Sequence, residues 1–236
     1  MNSEKLSLRL EIVAKYIPSG ARLADIGSDH AYLPCHVVQK GVVPFAIAGE
    51  VAEGPFQSAT GQVEAKALAE KISVRKGDGL EVIEPGEVDC ITIAGMGGAL
   101  IASILEAGKG KLESVKRLIL QPNISAFSIR TWLLENKWGL TGEEIVEEDG
   151  KIYEILVAEQ TDTHAAYGDE LEKGLLFGPF LLKEKNPVFQ KKWHGEKENW
   201  LKIVRNLEHA SATDENNRKK QELLRKVQLA EEVLGQ

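Results

Sequence analysis

The chain has 236 residues, a length that allows one sizeable domain and a smaller second piece. Its composition, 43% hydrophobic and 28% charged, is typical of a globular protein, and it contains neither a membrane-spanning apolar run nor an N-terminal signal-peptide pattern. The net charge of −7 gives no bulk sign of a nucleic-acid binder, so a polyanionic partner would have to contact local basic surfaces. We therefore expect a cytoplasmic protein that does not bind membranes.

The first element is predicted to be an amphipathic helix over residues 4–16, with Ser3 as its N-cap and the segment 18–20 as its end. Apolar residues recur at helical spacing, namely Leu6, Leu10, Val13 and Ile17. Arg9 lies on or near the polar side, and we assign it to substrate contacts.

The central element follows in residues 22–34. An apolar run interrupted by Asp25 predicts a buried strand, Gly27 predicts a tight turn that can approach a ligand, and a helix begins near Tyr32. This order is typical of the first unit of a nucleotide-binding α/β sheet.

The turn differs from the dinucleotide fingerprint G-x-G-x-x-G, whose backbone N–H groups hold a pyrophosphate. Asp29 occupies the place of the second glycine, where a carboxylate would repel a pyrophosphate. The same carboxylate suits an ammonium or sulfonium cation. S-adenosylmethionine (SAM) carries both cations and no phosphate, so the turn favours SAM over NAD. We assign Asp25, Gly27 and Asp29 to cofactor binding.

Acidic residues follow the next two predicted strands. The second strand, 44–50, ends in Glu50, which is placed to accept hydrogen bonds from ribose hydroxyls, although an exposed strand-end charge is the alternative. The third strand, 72–76, leads into a turn in which Asp78, next to Gly79, can accept from the exocyclic amine of adenine. We assign these three residues to cofactor binding.

Polar and glycine-rich segments also end the fourth and fifth predicted strands. The fourth strand, 88–94, leads into Ala94-Gly95-Met96-Gly97-Gly98, whose glycines indicate close approach of the backbone to a ligand. The fifth strand, 115–120, is followed by Gln121-Pro122-Asn123. The carboxyl edge of an open α/β sheet is where ligands bind, so we assign the loop 94–97 to the cofactor and Gln121 and Asn123 to the substrate.

The sheet is predicted to close with a hairpin. A helix over 125–136, with Ser125 as its N-cap, precedes two β-type runs, 140–148 and 152–158, joined at Asp149-Gly150. The fold class is therefore α/β, with five parallel strands and an antiparallel closing hairpin, as in Rossmann-like class I SAM-dependent methyltransferases. Dehydrogenases usually add a parallel sixth strand instead.

The pattern changes after residue 160, which predicts a SAM-binding catalytic domain over 1–160 and a linker with a helical arm over 161–236. Helices over about 186–209 and from the turn 211–216 to about residue 234 are predicted to form an antiparallel coiled-coil hairpin. Basic residues on its outer faces either form a solvated surface or bind RNA phosphates. Those we assign to the substrate are Lys191, Lys192, Arg205, Arg218 and Lys219.

The two cysteines, Cys35 and Cys90, are predicted to be small core residues, since free cysteine is among the most buried residue types. A disulfide or a metal pair is the less favoured interpretation. We expect no metal, and a reducing compartment fits this usage.

Taken in order, these motifs resemble the bacterial tRNA (adenine-22) N1-methyltransferases, the TrmK family. The motifs are Asp25-x-Gly27-Ser28-Asp29-His30-Ala31-Tyr32-Leu33-Pro34, Glu50, Gly77-Asp78-Gly79, Ala94–Gly98 and Gln121-Pro122-Asn123. The resemblance covers essentially the whole chain. It implies a class I fold, SAM as methyl donor, and N1 of adenine 22 in the D-loop region of tRNA as acceptor. Asp29 and Ala31 replace two glycines of the wider class I pattern.

The chemistry expected of such a site is mainly positioning, because adenine N1 has its own lone pair. The methylated base is a cation, so we nominate Asp29 for electrostatic stabilisation, with His30 and Asn123 as orienting partners. Base flipping is expected, since N1 is otherwise paired or stacked. Tyr32 is assigned to the cofactor and, like Met96, is a candidate packing wall, although ordinary packing is equally compatible with the sequence.

Several other functions stay open at this stage. They are a SAM-dependent methyltransferase of another RNA or of a small molecule, a non-catalytic RNA-binding protein with a SAM site, and an NAD-dependent oxidoreductase, which Asp29 disfavours. Methylases of exocyclic amines carry an (Asp/Asn)-Pro-Pro-aromatic motif after the fourth strand, where this chain has Ala94–Gly98. That difference favours a ring nitrogen as the acceptor. We expect the protein to be a monomer.

Overall fold

The computed structural model describes residues 4–209 and 213–235. Ser3 and the first residues of the turn predicted at 211 lie outside the described residues. The strands are β1 Arg22–Ile26, β2 Phe45–Glu50, β3 Ile72–Lys76, β4 Cys90–Gly97, β5 Arg117–Ile124, β6 Gly139–Glu148 and β7 Lys151–Glu159. The α-helices are α1 Leu8–Lys15, α2 Tyr32–Gln39, α3 Glu53–Ala65, α4 Gly98–Ala107, α5 Ala126–Glu135, α6 Leu171–Phe177, α7 Leu181–Glu184, α8 Pro187–Glu208 and α9 Asp214–Leu234.

The seven strands form one sheet in the order β3-β2-β1-β4-β5-β7-β6. Strands β1 to β5 pair parallel with one another, and β7 pairs antiparallel with both β5 and β6. The hairpin turn has positive φ at both central residues, Asp149 (50°) and Gly150 (73°), as a two-residue hairpin of this type requires. The predicted α/β fold with an antiparallel closing hairpin is confirmed.

The central strands are buried because helices cover them, which is why β1, β2 and β4 are rich in apolar residues. Residues of α1, α2 and α3 pack with β1 and β2 in one hydrophobic cluster that includes Val13, Leu33, Val63, Leu23 and Ala46. The two cysteines belong to the same cluster, and burial raises the pKa of Cys35 to about 11 and that of Cys90 to about 12. Both are therefore buried core thiols.

Two predicted boundaries are corrected near the site. The first helix begins at Leu8 rather than at residue 4, and the backbone N–H of Leu8 donates to the Glu148 carboxylate at 2.5 Å, which satisfies a helix-end donor. The fifth strand extends to Ile124, so the segment 121–123 lies inside β5 instead of following it. Ser125 occupies the N-cap position of α5 but makes no side-chain cap and has φ of 59°.

Residue contacts divide the chain after Gly178, whereas the sequence predicts a boundary at residue 160. The segment predicted as a linker contains α6, in which Phe177 is fully buried. Its backbone carbonyls at Leu175 and Leu176 accept hydrogen bonds from the buried Arg130 guanidinium at 3.4 Å. Because the buried Arg130 side chain donates to these carbonyls, it attaches α6 to the unit that contains the sheet.

The second unit, from Pro179 onward, contains α7 and two long helices with side-chain caps. Asn186 accepts from the Phe189 N–H at 3.0 Å and Thr213 from the Asn216 N–H at 3.1 Å. Contacts at opposite ends show that α8 and α9 are antiparallel, namely Lys220 with Glu208 at 2.7 Å and Lys185 with the Val233 carbonyl at 2.6 Å. The helical hairpin is as predicted, whereas coiled-coil geometry stays a prediction. Within the described ranges, no helix is both long and apolar enough to cross a membrane.

Candidate active site

The turn between β1 and α2 has an unusual backbone. Four of its residues have positive φ, namely Gly27 (69°), Asp29 (41°), His30 (65°) and Ala31 (54°). Such conformations cost non-glycine residues roughly 1–3 kcal/mol each and persist only where the surroundings hold them, most often at functional sites. The N–H groups of Gly27 and Ser28 donate to the Gly49 carbonyl at 2.9 and 3.2 Å, so the turn is fastened to the end of β2.

Glu50 completes that attachment. Its carboxylate accepts a hydrogen bond from the backbone N–H of Asp29, and its side chain is largely buried. Burial raises the pKa of Glu50 above its ordinary value of 4.5, and the hydrogen bond from Asp29 opposes this shift. A buried carboxylate at the end of β2 is well suited to accept from hydroxyl groups of a bound ligand.

Asp25 holds three segments together. Its two carboxylate oxygens accept from the Ser28 and Thr92 hydroxyls, both at 2.6 Å, so β1, the turn and β4 are connected. Burial raises the pKa of Asp25, while the two hydroxyl hydrogen bonds lower it. These contacts position the turn, and the assignment of Asp25 to cofactor binding stays a prediction. Neither hydroxyl was predicted, although Thr92 is a polar residue within an otherwise apolar strand.

A cavity of about 210 Å³ lies between this turn and the loop at the end of β4. It is lined by Arg9, Leu10, Asp25, Gly27, Ser28, Asp29, Leu33, Ala94, Gly95 and Met96. A Cβ atom at Gly27 would lie 2.1 Å from the Met96 methyl group, so a side chain there would be strained by φ and would displace Met96. The structure thus brings seven of the residues predicted for the site to one cavity.

Asp78 and Gly79 line a second cavity, of about 220 Å³, between the turn after β3 and α4. Asp78 is exposed, and its N–H donates to the Glu81 carboxylate at 3.1 Å. The Cβ position of Gly79 is 2.9 Å from a methyl carbon of Ile104. Gly79 therefore allows close packing of the turn on α4.

Gln121 connects the ends of β4 and β5 to α1. Its side-chain oxygen accepts from Arg9 at 2.6 Å and from the Gly95 N–H at 3.1 Å, and its amide nitrogen donates to the Pro122 carbonyl at 2.9 Å. It is fully buried and both ends of its amide are used. These hydrogen bonds support Arg9 and the Gly95 loop, and the assignment of Gln121 to the substrate stays a prediction.

Asn123 is exposed at the same edge of the sheet. Its amide nitrogen donates to the Gly95 carbonyl at 2.7 Å, while its oxygen makes only a long 3.5 Å contact with the amide nitrogen of Gln121. The hydrogen bond fixes the orientation of the side chain. The oxygen can therefore accept from a ligand donor.

His30 and Tyr32 do not line the cavity. Their rings stack with centroids 5.2 Å apart, and His30 Nδ1 is hydrogen-bonded to the Ser58 hydroxyl of α3. His30 Nε2 is 3.5 Å from the Asp29 carboxylate, whose side chain is 75% exposed. The stacked pair thus packs beside the turn, next to the exposed Asp29 carboxylate. Ser58 had no recognisable signal in the sequence.

The basic residues assigned to the substrate lie on α8 and α9. Lys191, Arg205, Arg218 and Lys219 are exposed, whereas Lys192 is half-buried with its ammonium group 4.9 Å from the centre of the Trp193 ring. The unit from residue 179 onward carries 12 Lys and Arg against 9 Asp and Glu, a net charge of +3.

Within the described residues, no cluster of three or more His, Cys, Asp or Glu side chains could hold a metal ion.

Comparison with known proteins identifies the family. Residues 23–232 match the family described as TrmK, tRNA (adenine(22)-N(1))-methyltransferase. The chain belongs to this family. It is 57% identical to the tRNA (adenine(22)-N(1))-methyltransferase of Bacillus subtilis strain 168, over 99% of each chain.

Solved structures of TrmK proteins share the fold. The Bacillus subtilis m1A22 tRNA methyltransferase TrmK superposes with a TM-score of 0.94, covering 98% of this chain and 99% of that chain at 57% identity. A Streptococcus pneumoniae putative tRNA (m1A22) methyltransferase, solved in complex with SAM, has a TM-score of 0.82 at 48% identity, covering 98% of this chain and all of that one. M. capricolum TrmK, solved with S-adenosyl-homocysteine, has a TM-score of 0.82 at 28% identity, covering 97% of each chain. The resemblance seen in the sequence is thereby confirmed.

Proposed function

We propose that this protein transfers a methyl group from SAM to N1 of adenine 22 in tRNA. The observation that carries the proposal is its 57% identity, over 99% of each chain, to a tRNA (adenine(22)-N(1))-methyltransferase. The site agrees chemically, because a cavity with carboxylates and no phosphate-binding glycine loop suits a ligand with an ammonium and a sulfonium group.

The residues that would hold SAM lie in the turn after β1 and at the ends of the neighbouring strands. Gly27 and the following backbone provide the close approach, Asp29 offers a carboxylate to the cationic part, and Glu50 accepts from the ribose hydroxyls. Asp78, at the neighbouring cavity, is the acceptor for the adenine amine. When bound, SAM supplies an electrophilic methyl group on its sulfonium.

The protein's own contribution to the transfer is to position the acceptor and to stabilise the positive charge that forms on the base. The Asn123 oxygen accepts from the exocyclic amine of adenine, which places the neighbouring N1. The exposed Asp29 carboxylate stabilises the positive charge of the methylated ring. The base must leave its stack to present N1 to this site.

The function is tested by incubating the wild-type protein with SAM and unmodified tRNA and measuring nucleosides by mass spectrometry. We expect 1-methyladenosine to form, and none to form in a transcript with guanosine at position 22. A wild-type protein that makes no 1-methyladenosine would contradict the proposal. Equal modification of both transcripts would refute the choice of nucleotide.

Asn123→Ala should lower kcat/KM for tRNA by about 10- to 100-fold, because one oriented hydrogen bond to the base and the hydrogen bond to Gly95 are lost. The Kd for SAM, measured by calorimetry, should stay within about twofold. Asn136→Ala, which removes an amide that donates to the Trp132 carbonyl, serves as the control and should retain activity. Wild-type kinetics of the Asn123 variant would remove that residue from the mechanism.

We further propose that the helical hairpin binds tRNA phosphates through its exposed basic residues. Replacing Arg218 and Lys219 together by glutamine should raise the KM for tRNA roughly tenfold and reduce the slope of log K against log salt by about 1–2, with kcat unchanged. The matched control is Lys40→Gln with Lys71→Gln, which removes two exposed positive charges from the catalytic unit. An equal effect of both double variants would show that only net charge matters.

We also propose that the protein acts as a monomer in the cytoplasm. Its two buried thiols suit a reducing compartment, and its tRNA substrate is present there. Light scattering on the purified protein measures the oligomeric state.

A further inference from the structure

Two large apolar side chains are exposed where β5 continues into α5. Ile124 is 73% exposed and Phe127 is 46% exposed, although most large apolar residues of this unit are buried. We call these two residues the apolar rim. Apolar residues that stay exposed next to a polar site are often part of a binding surface.

One residue of the apolar rim, Ile124, adjoins the loop 94–97, part of which lines the cavity of about 210 Å³. Ile124 is the register partner of Gly97, and a Cβ atom on Gly97 would lie 4.0 Å from an Ile124 side-chain carbon. The residue before it, Asn123, donates to the Gly95 carbonyl, and Gly95 lines the cavity. Ile124 therefore adjoins the residues that position the acceptor, and Phe127 follows it three residues later, in the first turn of α5.

The backbone that carries the rim is held firmly. A Cβ atom at Gly98 would lie 2.0 Å from the Ser125 carbonyl oxygen and 3.0 Å from that of Ile124, so the start of α4 packs directly on this turn. Ser125 also has a left-handed φ of 59°, a conformation that needs support from neighbouring structure. The exposure of Ile124 and Phe127 thus belongs to a well-packed turn and not to a loose loop.

We propose that the apolar rim is the surface on which the face of the acceptor adenine packs after it leaves its stack. A nucleobase has apolar faces and polar edges, and the turn offers both complements, since the rim is apolar and the Asn123 oxygen accepts hydrogen bonds. This inference rests on the proposed function and adds the residues that contact the face of the base. Ile124 and Phe127 are therefore positioning residues for the acceptor.

The test compares wild type with the double variant Ile124→Ala/Phe127→Ala in steady-state methylation of tRNA. Loss of face contacts to one base should lower kcat/KM roughly 10- to 100-fold. Because both side chains are exposed, the Tm and the Kd for SAM should not change. The double variant Ile124→Leu/Phe127→Tyr keeps an aliphatic and an aromatic surface and should regain most of the activity.

A second readout uses tRNA with the fluorescent base 2-aminopurine at position 22. Binding to the wild type should produce a fluorescence change as the base leaves its stack and packs on the rim. The fluorescence change on binding to the alanine double variant should differ from that of the wild type. Wild-type kinetics and fluorescence in the alanine variant would overturn the proposal and leave the rim to another partner. A weakened SAM Kd would also overturn it, since the residues would then act through the cofactor. Failure of the wild type to form 1-methyladenosine would instead contradict the proposed function itself.

Discussion

Replacing Arg130 by alanine should lower the free energy of unfolding of the catalytic unit by about 3–5 kcal/mol. Arg130 is fully buried, and its guanidinium donates to Glu143 at 2.6 Å and to Glu154 at 2.7 Å. It thereby connects α5 to both strands of the closing hairpin. Burial alone would lower the pKa of Arg130, but attraction to the two carboxylates outweighs it and raises the pKa above its usual range.

The expected loss is large because alanine leaves two carboxylates in an apolar interior without their cation. The hydrogen bonds to the carbonyls of Leu175 and Leu176 are lost as well, so α6 should detach first. Gly178 has no room for a side chain here, since a Cβ atom would lie 2.7 Å from both the guanidinium and the Glu143 carboxylate. The Arg130 guanidinium and the Glu143 carboxylate are thus tightly enclosed, and water cannot easily replace the guanidinium in the variant.

Thermal and urea unfolding measure this effect, and the Tm should fall by roughly 6–20 °C. Arg22→Ala is the matched control, because Arg22 pairs with Asp89 at 3.4 Å while its side chain is 48% exposed. Such an exposed pair should contribute at most about 1 kcal/mol. Equal Tm shifts for the two variants would show that burial of the Arg130 network does not matter.

Glu50→Ala should weaken SAM binding about 100-fold. The proposed hydrogen bonds to the ribose hydroxyls would be lost, and so would the acceptor for the Asp29 N–H that supports the left-handed turn. Glu50→Gln keeps an oxygen that can accept from the Asp29 N–H, so its Kd for SAM should lie between those of the wild type and Glu50→Ala. Calorimetry with SAM measures each Kd, and a Kd unchanged from wild type would show that Glu50 does not hold the cofactor.

The pH dependence adds an independent check. The ionised carboxylate is the better acceptor, and burial raises the pKa of Glu50 above 4.5. On acidification, SAM affinity of the wild type should therefore begin to fall at a higher pH than an exposed glutamate would give, and the alanine variant should lack this phase. Glu53→Ala is the control, since Glu53 is exposed, pairs with Lys76 on the surface and is three residues away in the sequence.

Much of the fold was accessible from local patterns. The third strand was predicted at its observed limits, and Asp149-Gly150 indicated the hairpin because a two-residue turn of this type requires positive φ at both positions. The long arm helices were also identifiable, since Asn186-Pro187 is a local start signal. The polar composition of the segment 161–178 predicts a linker, but the segment contains α6, which is held by the distant Arg130 rather than indicated by its own periodicity.

The candidate site, like the fold, was accessible only in part from the sequence. The sequence by itself determined the residue types at the turn, the acid after β2 and the polar end of β5, because these follow from position along a β-turn-α unit. Only the tertiary structure decided the partners of Asp25 and Gln121, the place of His30 beside the turn and the exposure of Ile124. The physical reason is that a role depends on which atoms are left without partners, and those partners come from strands and helices far away in the chain.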